Sequence, residues 1–140
     1  MKIFDLIYKM SRRYRGGASI LRLLYGCDIP QRAQIDSTVV FPHHALGVVI
    51  AANAIIEEKV TIQHHVTIGI SKKGQTPIIR KGAYIGAYAL ILGDVEIGEN
   101  STIGAGTIVT KSVPANGVYI NRNELTDIRK GKINENIGNT

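Results

Sequence analysis

The chain has one cysteine, Cys27, in 140 residues. An internal disulfide is therefore excluded, and so is a thiolate metal cluster. Cys27 reads as a small buried residue rather than a catalytic thiol. Long hydrophobic runs are also missing, since no apolar stretch approaches the ~20 residues that a membrane-spanning helix needs. The apolar residues near the N-terminus are interleaved with Asp5, Lys9 and Arg12, so a secretory signal is not expected either. A soluble, cytoplasmic protein is the expectation. Acidic residues are scarce at the start: residues 1 to 26 hold Lys2, Lys9, Arg12, Arg13, Arg15 and Arg22 against Asp5 alone, which is +5 of the chain's +6. With 44% hydrophobic and 20% charged residues the composition is globular. The length suits one domain, self-sufficient or leaning on identical copies.

Residues 1–27 carry helical apolar spacing (Phe4, Ile7, Tyr8, then Ile20, Leu21, Leu24), broken at Gly16-Gly17, which predicts two short amphipathic helices. From residue 28 the period changes to six. Isoleucine recurs at 50, 56, 62 and 68, and the step resumes at Ile79, Ile85, Ile91, Ile97, Ile103 and Val109. Four positions after most of these stands a small or β-branched residue, among them Ala54, Val60, Ala83, Ala89, Ser101 and Thr107. A helix turns about 600° in six residues, so its apolar stripe would drift off any core. A short strand followed by a tight corner every six residues fits, three such units closing one triangular coil of a parallel β-helix. Gly86, Gly98, Gly104 and Gly106 fall where corners are expected to need unusual backbone angles.

Two places break the step. Phe41 to Ile50 is nine residues and Ile68 to Ile79 is eleven. The first holds FPHHALGVVI, with His43 and His44 side by side. The second, GISKKGQTPI, is expected to project as a loop over 69–78, within a β-helix spanning 28–120 and followed by a tail over 121–140.

The stretches PHHALGVVI, QHHVTIG and IGAGTIVTKSVP resemble the hexapeptide-repeat acyltransferases, in the serine acetyltransferase branch and its relatives that acetylate capsule and exopolysaccharide sugars. That resemblance implies a left-handed parallel β-helix, a homotrimer with active sites between subunits, and acetyl-CoA as co-substrate. The general base of H-x-x-G-[IV]-V carries over onto His44. One extra residue before Gly47 leaves His43 as the alternative. The family's orienting aspartate carries over onto Asp28 of DIP, and the backbone that lines the pantetheine onto Ala87 and Ala105. Lys111 and Arg122 are expected to meet the nucleotide phosphates. One of His64 and His65, about one coil beyond the first pair, is expected to face the acceptor.

An imidazole with a reference pKa near ~6.5 is substantially neutral at pH 7 and can take the acceptor hydroxyl's proton. Serine acetyltransferases have an acidic residue before the base and an Arg-His pair late in the loop. Here those positions hold His43, Gln75 and Thr76, and these 140 residues hold no counterpart of the long N-terminal helical domain. The expected acceptor is therefore a saccharide, with serine the alternative. A carbonic-anhydrase-type zinc protein ranks below both, because histidine spacings of 1, 20 and 1 lack that type's pair five apart, and no metal is expected. The basic N-terminal segment is read first as a cap on the solenoid and second as a peripheral contact with anionic lipid. Nucleic acid is not expected as a partner.

Overall fold

A computed structural model of the chain describes residues 3–13 and 17–121. Among these described residues two helices, α1 (Ile3–Arg13) and α2 (Gly17–Tyr25), precede twelve very short strands. These are β1 (Gln34–Ile35), β2 (Val49–Ile50), β3 (Ile55–Ile56), β4 (Thr61–Ile62), β5 (Thr67–Gly69), β6 (Ile78–Ile79), β7 (Tyr84–Ile85), β8 (Leu90–Leu92), β9 (Glu96–Ile97), β10 (Thr102–Ile103), β11 (Ile108–Val109) and β12 (Val118–Tyr119). All pairing is parallel, in three four-stranded sheets: sheet A is β2-β5-β8-β11, sheet B is β1-β3-β6-β9 and sheet C is β4-β7-β10-β12. The chain visits the sheets in the repeating order A, B, C, so each coil is one turn of a three-sided prism. This is the parallel β-helix that the hexads imply, left-handed as the family resemblance implies.

Register records where the chain departs from six. A regular coil steps 18 residues, as from Thr67 through Leu90 to Ile108 once the loop is allowed for: Leu90 pairs with Ile108, whereas Thr67 pairs with Leu90, 23 residues on. Gln34 pairs with Ile55, a step of 21. These are 18 plus five and 18 plus three, the two insertions counted in the sequence. A third irregularity escaped the count. Thr102 pairs with Val118 and Ile97 bridges to Val113, steps of 16, so the last coil is two residues short. Val113 is nonetheless buried at the expected position, which is why the shortening leaves no mark on the apolar pattern.

Side chains alternate along a strand, so one residue of each pair faces in. Ile56, Ile62, Ile68, Ile79, Ile85, Ile91, Ile97 and Ile103 are essentially inaccessible, each contributing about 1.5–3 kcal/mol of burial. The small residues fill the corners beside them: Ala54, Val60, Val66, Ala83, Ala89, Ser101 and Thr107 are all fully buried. The corner glycines act differently from expectation. Only Gly106 has a positive φ (+66°); a Cβ on Gly86 would lie 2.6 Å from the Ala105 nitrogen and 2.7 Å from the Ile103 carbonyl oxygen, so that glycine permits close stacking of coils. Gly98 is crowded in the same way by the backbone of Pro114 and Ala115, whereas a Cβ on Gly104 would meet the Ile120 side chain at 2.8 Å. The left-handed corner position falls instead to Lys59, His65, Tyr88, Asn100 and Asn116.

The helices close the first coil. Leu21 and Cys27 are fully buried in the same apolar cluster as Ile29 and Ile50, and burial pushes the Cys27 thiol's pKa up, away from the thiolate that nucleophilic chemistry needs. Arg12 fastens α1 to the coil by donating to the Pro30 and Ala33 carbonyls at 2.7 and 2.6 Å. Among the described residues no helix is long and apolar enough to cross a membrane.

Candidate active site

The three-residue insertion sits at the edge between sheets C and A. Val40 bridges to Thr61 of sheet C and Val49 belongs to sheet A, so residues 41–48 form that corner in the first complete coil. Later coils stack 63–66, 86–89 and 104–107 on it. Backbone bonds join them: His65 N–H donates to the Leu46 carbonyl at 2.8 Å, Tyr88 N–H to His64 at 3.1 Å, and Gly106 N–H to Ala87 at 2.8 Å. Six of the residues singled out in the sequence, His43, His44, His64, His65, Ala87 and Ala105, therefore share one edge.

Pro42 opens a tight turn in which His43, His44 and Ala45 all have positive φ (55°, 58° and 55°). Left-handed backbone costs a residue with a Cβ roughly 1–2 kcal/mol. The turn survives because its surroundings fix it: Ala45 is fully buried, Leu46 N–H donates to the His43 carbonyl at 3.2 Å, and Gly47 N–H donates to the Tyr25 carbonyl at 3.1 Å. Strain held in this way accompanies functional positions more often than ordinary corners.

The turn sends the two imidazoles to different neighbours. His43 meets His64 on the next coil edge-on, with ring centroids 5.0 Å apart and planes at 81°. His44 tilts over Tyr25 below it at 5.8 Å. Both line a cleft of about 1220 Å³ between the first coil and α1, whose other walls include Tyr8, Lys9, Arg12 and Asp36. Tyr8 braces this wall against Phe41 at 5.7 Å. The second histidine pair stands outside the cleft. His64 reaches it only through the ring of His43, and its Nδ1 is buried without a hydrogen-bond partner. His65 stacks flat on Tyr88 at 4.7 Å with planes 14° apart.

Asp28 pairs by its backbone with Val48 and Ile50, at the flank of the same edge, while its half-exposed carboxylate forms an ion pair with Arg22 at 2.7 Å. Lys111 is exposed after β11, one edge away between sheets A and B. Arg122 lies outside the described residues. Among the described residues of one chain, no group of three or more His, Cys, Asp or Glu side chains is gathered to hold a metal. Two features of the site escaped sequence reasoning. Tyr88 was one, though IGAYAL puts a large ring where the sister unit IGAGTI has Gly106. The α1 wall of the cleft was the other, and helix-to-coil packing has no signature in the six-residue period.

Residues 76–111 match the bacterial transferase hexapeptide family (six repeats). The chain is 41% identical over 109 residues to a serine acetyltransferase of Mycobacterium tuberculosis and 42% identical over 100 residues to one of Buchnera aphidicola. Those alignments take in 76% and 69% of this chain and 47% and 38% of the relatives, so the chain spans less than half of their length. Among solved structures, soybean serine acetyltransferase complexed with serine superposes with a TM-score of 0.72 at 35% identity, covering 85% of this chain and 51% of that one. The enzyme of Brucella abortus gives 0.72 at 34% identity, covering 86% and 50%.

These relatives correct the acceptor expected from the sequence. A saccharide was inferred from charges missing at three positions and from the absent helical domain, but these relatives and solved structures are serine acetyltransferases, and polysaccharide synthesis has no support among them. The inference was weak physically because a charge missing from one loop can be supplied by another element of the fold. In repeat, coil and relatives, the chain belongs to the hexapeptide-repeat family, and its β-helix is similar to that of the serine acetyltransferases.

Proposed function

We propose that the chain transfers an acetyl group from acetyl-CoA to the hydroxyl of serine, in a homotrimer whose active sites lie between copies. The carrying observation is the 41–42% identity to serine acetyltransferases across most of the β-helix. In this reading His44 accepts the serine hydroxyl proton as the oxygen attacks the thioester carbonyl. The tetrahedral adduct then collapses with cleavage of the carbon–sulfur bond, and the imidazolium returns its proton to the departing thiolate. The products are O-acetylserine and coenzyme A. No acyl-enzyme forms. Asp28 orients the base, which requires it to exchange the Arg22 guanidinium for imidazole. His43 contacts the acceptor, and His64, with its buried Nδ1, supports it from the next coil.

Acetyl-CoA fits the C/A edge. Ala105 is exposed and Ala87 half-buried, so small side chains leave the main chain open to a pantetheine arm. Lys111, with Arg122, is assigned to the nucleotide phosphates. Support for a trimer comes from the outward faces flanking this edge, where Val40, Val49, Tyr84 and Ile108 stand exposed. Cytoplasm is the compartment we assign, as one that holds both substrates.

Purified protein incubated with acetyl-CoA and serine should release coenzyme A with a rate that saturates in both substrates, and mass spectrometry should find O-acetylserine. Thiol release that is independent of serine would overturn the reading. Light scattering should give three times 15.2 kDa.

A further inference from the structure

Serine offers a cleft one carboxylate and one ammonium group, and a site that selects it as an amino acid needs opposite charges facing them. The positions at which the resemblance implies such charges hold His43, Gln75 and Thr76. Two of these are otherwise engaged: Gln75 Nε2 donates to Asp94 at 2.8 Å and Thr76 Oγ1 to the Asn53 carbonyl at 3.0 Å. Both lie in the loop at the A/B edge, away from the histidine turn within the same chain.

The cleft beside the histidines carries the charges that the loop lacks. Its helical wall presents Asp5, Lys9 and Arg12, and its coil wall presents Asp36. Arg12 is taken up by the Pro30 and Ala33 carbonyls and serves to hold the helix. Lys9 is exposed, and among the described residues no carboxylate lies within ion-pair distance of it. Asp36 accepts both the Thr38 N–H, at 2.8 Å, and the Thr38 hydroxyl, at 2.6 Å, on Oδ1, so Oδ2 is left for another donor. Those bonds, the hydroxyl's foremost, hold the carboxyl below the usual carboxylate range, so it is ionised at neutral pH.

We infer that α1 is a wall of the acceptor site, in which Lys9 grips the carboxylate of the amino-acid acceptor and Asp36 its ammonium group. This rests on serine being the acceptor and assigns the recognition that the loop no longer supplies. One basic residue of the N-terminal segment, Lys9, thereby acquires a role in specificity, through a helix that the hexad pattern does not contain.

Steady-state kinetics of Lys9→Gln, Lys9→Arg and Asp36→Asn test it, with serine and serinamide as acceptors. A lost charge-assisted contact should raise the KM for serine ~10–100-fold in Lys9→Gln. The KM for acetyl-CoA and the kcat at saturation should stay within a few-fold. Wild type should prefer serine to serinamide, Lys9→Gln should lose that preference, and Lys9→Arg should keep most of it. Asp36→Asn should raise the KM for both acceptors, since both carry the ammonium group. An unchanged serine KM with unchanged discrimination in Lys9→Gln overturns the inference while leaving serine acetylation intact. Wild-type protein that turns over acetyl-CoA without using serine overturns the functional reading, and this inference with it.

Discussion

The solenoid breaks step at two insertions, and the two are built in opposite ways. Residues 41–48, at the C/A edge, form a left-handed turn with a buried alanine at its heart and rings packed above and below. Residues 70–77, at the A/B edge, form an exposed loop that satisfies itself: Gly74 N–H donates to the Ser71 carbonyl, Ser71 N–H to the Gln75 carbonyl, and the Gln75 side chain anchors to Asp94. The larger insertion is the more relaxed. Inserted length therefore says less about function than the backbone cost a segment bears and what crowds around it.

The sharpest way to break that contrast is to remove the rings. His44→Ala should lower kcat/KM for acetyl transfer by ~100-fold or more, the range expected for a lost general base, or about 2.7 kcal/mol. His43→Ala should cost less and fall mainly on the KM for the acceptor. The reverse ranking would make His43 the base and His44 a packing residue over Tyr25.

A second test compares glycines of positive φ in the two insertions. Gly47 has φ +66° and a Cβ there would lie 2.1 Å from His65 Nδ1, whereas Gly74 has φ +81° with nothing within 4 Å. Alanine at either position bears the left-handed cost of about 1 kcal/mol. Gly47→Ala should add about 1–3 kcal/mol for displacing the ring, read as a larger fall in denaturation midpoint than Gly74→Ala gives. Equal falls would show the C/A turn to be as yielding as the loop.

How far the sequence revealed these regions depends on what kind of order they carry. The core was legible because each unit contributes one inward aliphatic and one small corner residue, so counting from Phe41 to Val109 located the sheets and both insertions. Shared placement of the histidines with Ala87 and Ala105 followed from the same count. The directions of His43 and His44 were not legible, because successive left-handed residues with side chains have no propensity signature and are imposed by the packing of Ala45 and Tyr25. Nor was the α1 wall, whose position is set by Arg12 reaching carbonyls 18 and 21 residues away. Reading the acceptor from His43, Gln75 and Thr76 failed because those positions are not the whole of the site's surroundings: the charged lining of the cleft beside the histidines includes Lys9 on α1 and Asp36 on the coil.

The third edge, between sheets B and C, is free of insertion in these coils and serves as the reference for both others. Its corners are tied by charge. Arg80 donates to Glu57 at 2.7 Å and to Glu96 at 2.8 Å, linking three successive coils, and Lys81 pairs with Glu58 at 2.6 Å. The Arg80 hydrogen bonds hold the Glu57 and Glu96 carboxyls below the usual carboxylate range. Depressed carboxylates contribute stability above their unfolded value of about 4.5, and that contribution is lost as pH falls through the lower folded value. Thermal midpoints of wild type should therefore hold from pH 7 to about 5 and drop below about 4.5. In Arg80→Met the midpoint should be slightly lower at pH 7 and its acid drop shallower, the two proteins converging once both carboxyls are protonated. The effect should be the smallest of the three, since these are surface pairs screened by water and salt. An Arg80→Met midpoint displaced equally at every pH would mean that Arg80 acts through its packed stem, and that this edge is held by apolar contact like the C/A turn.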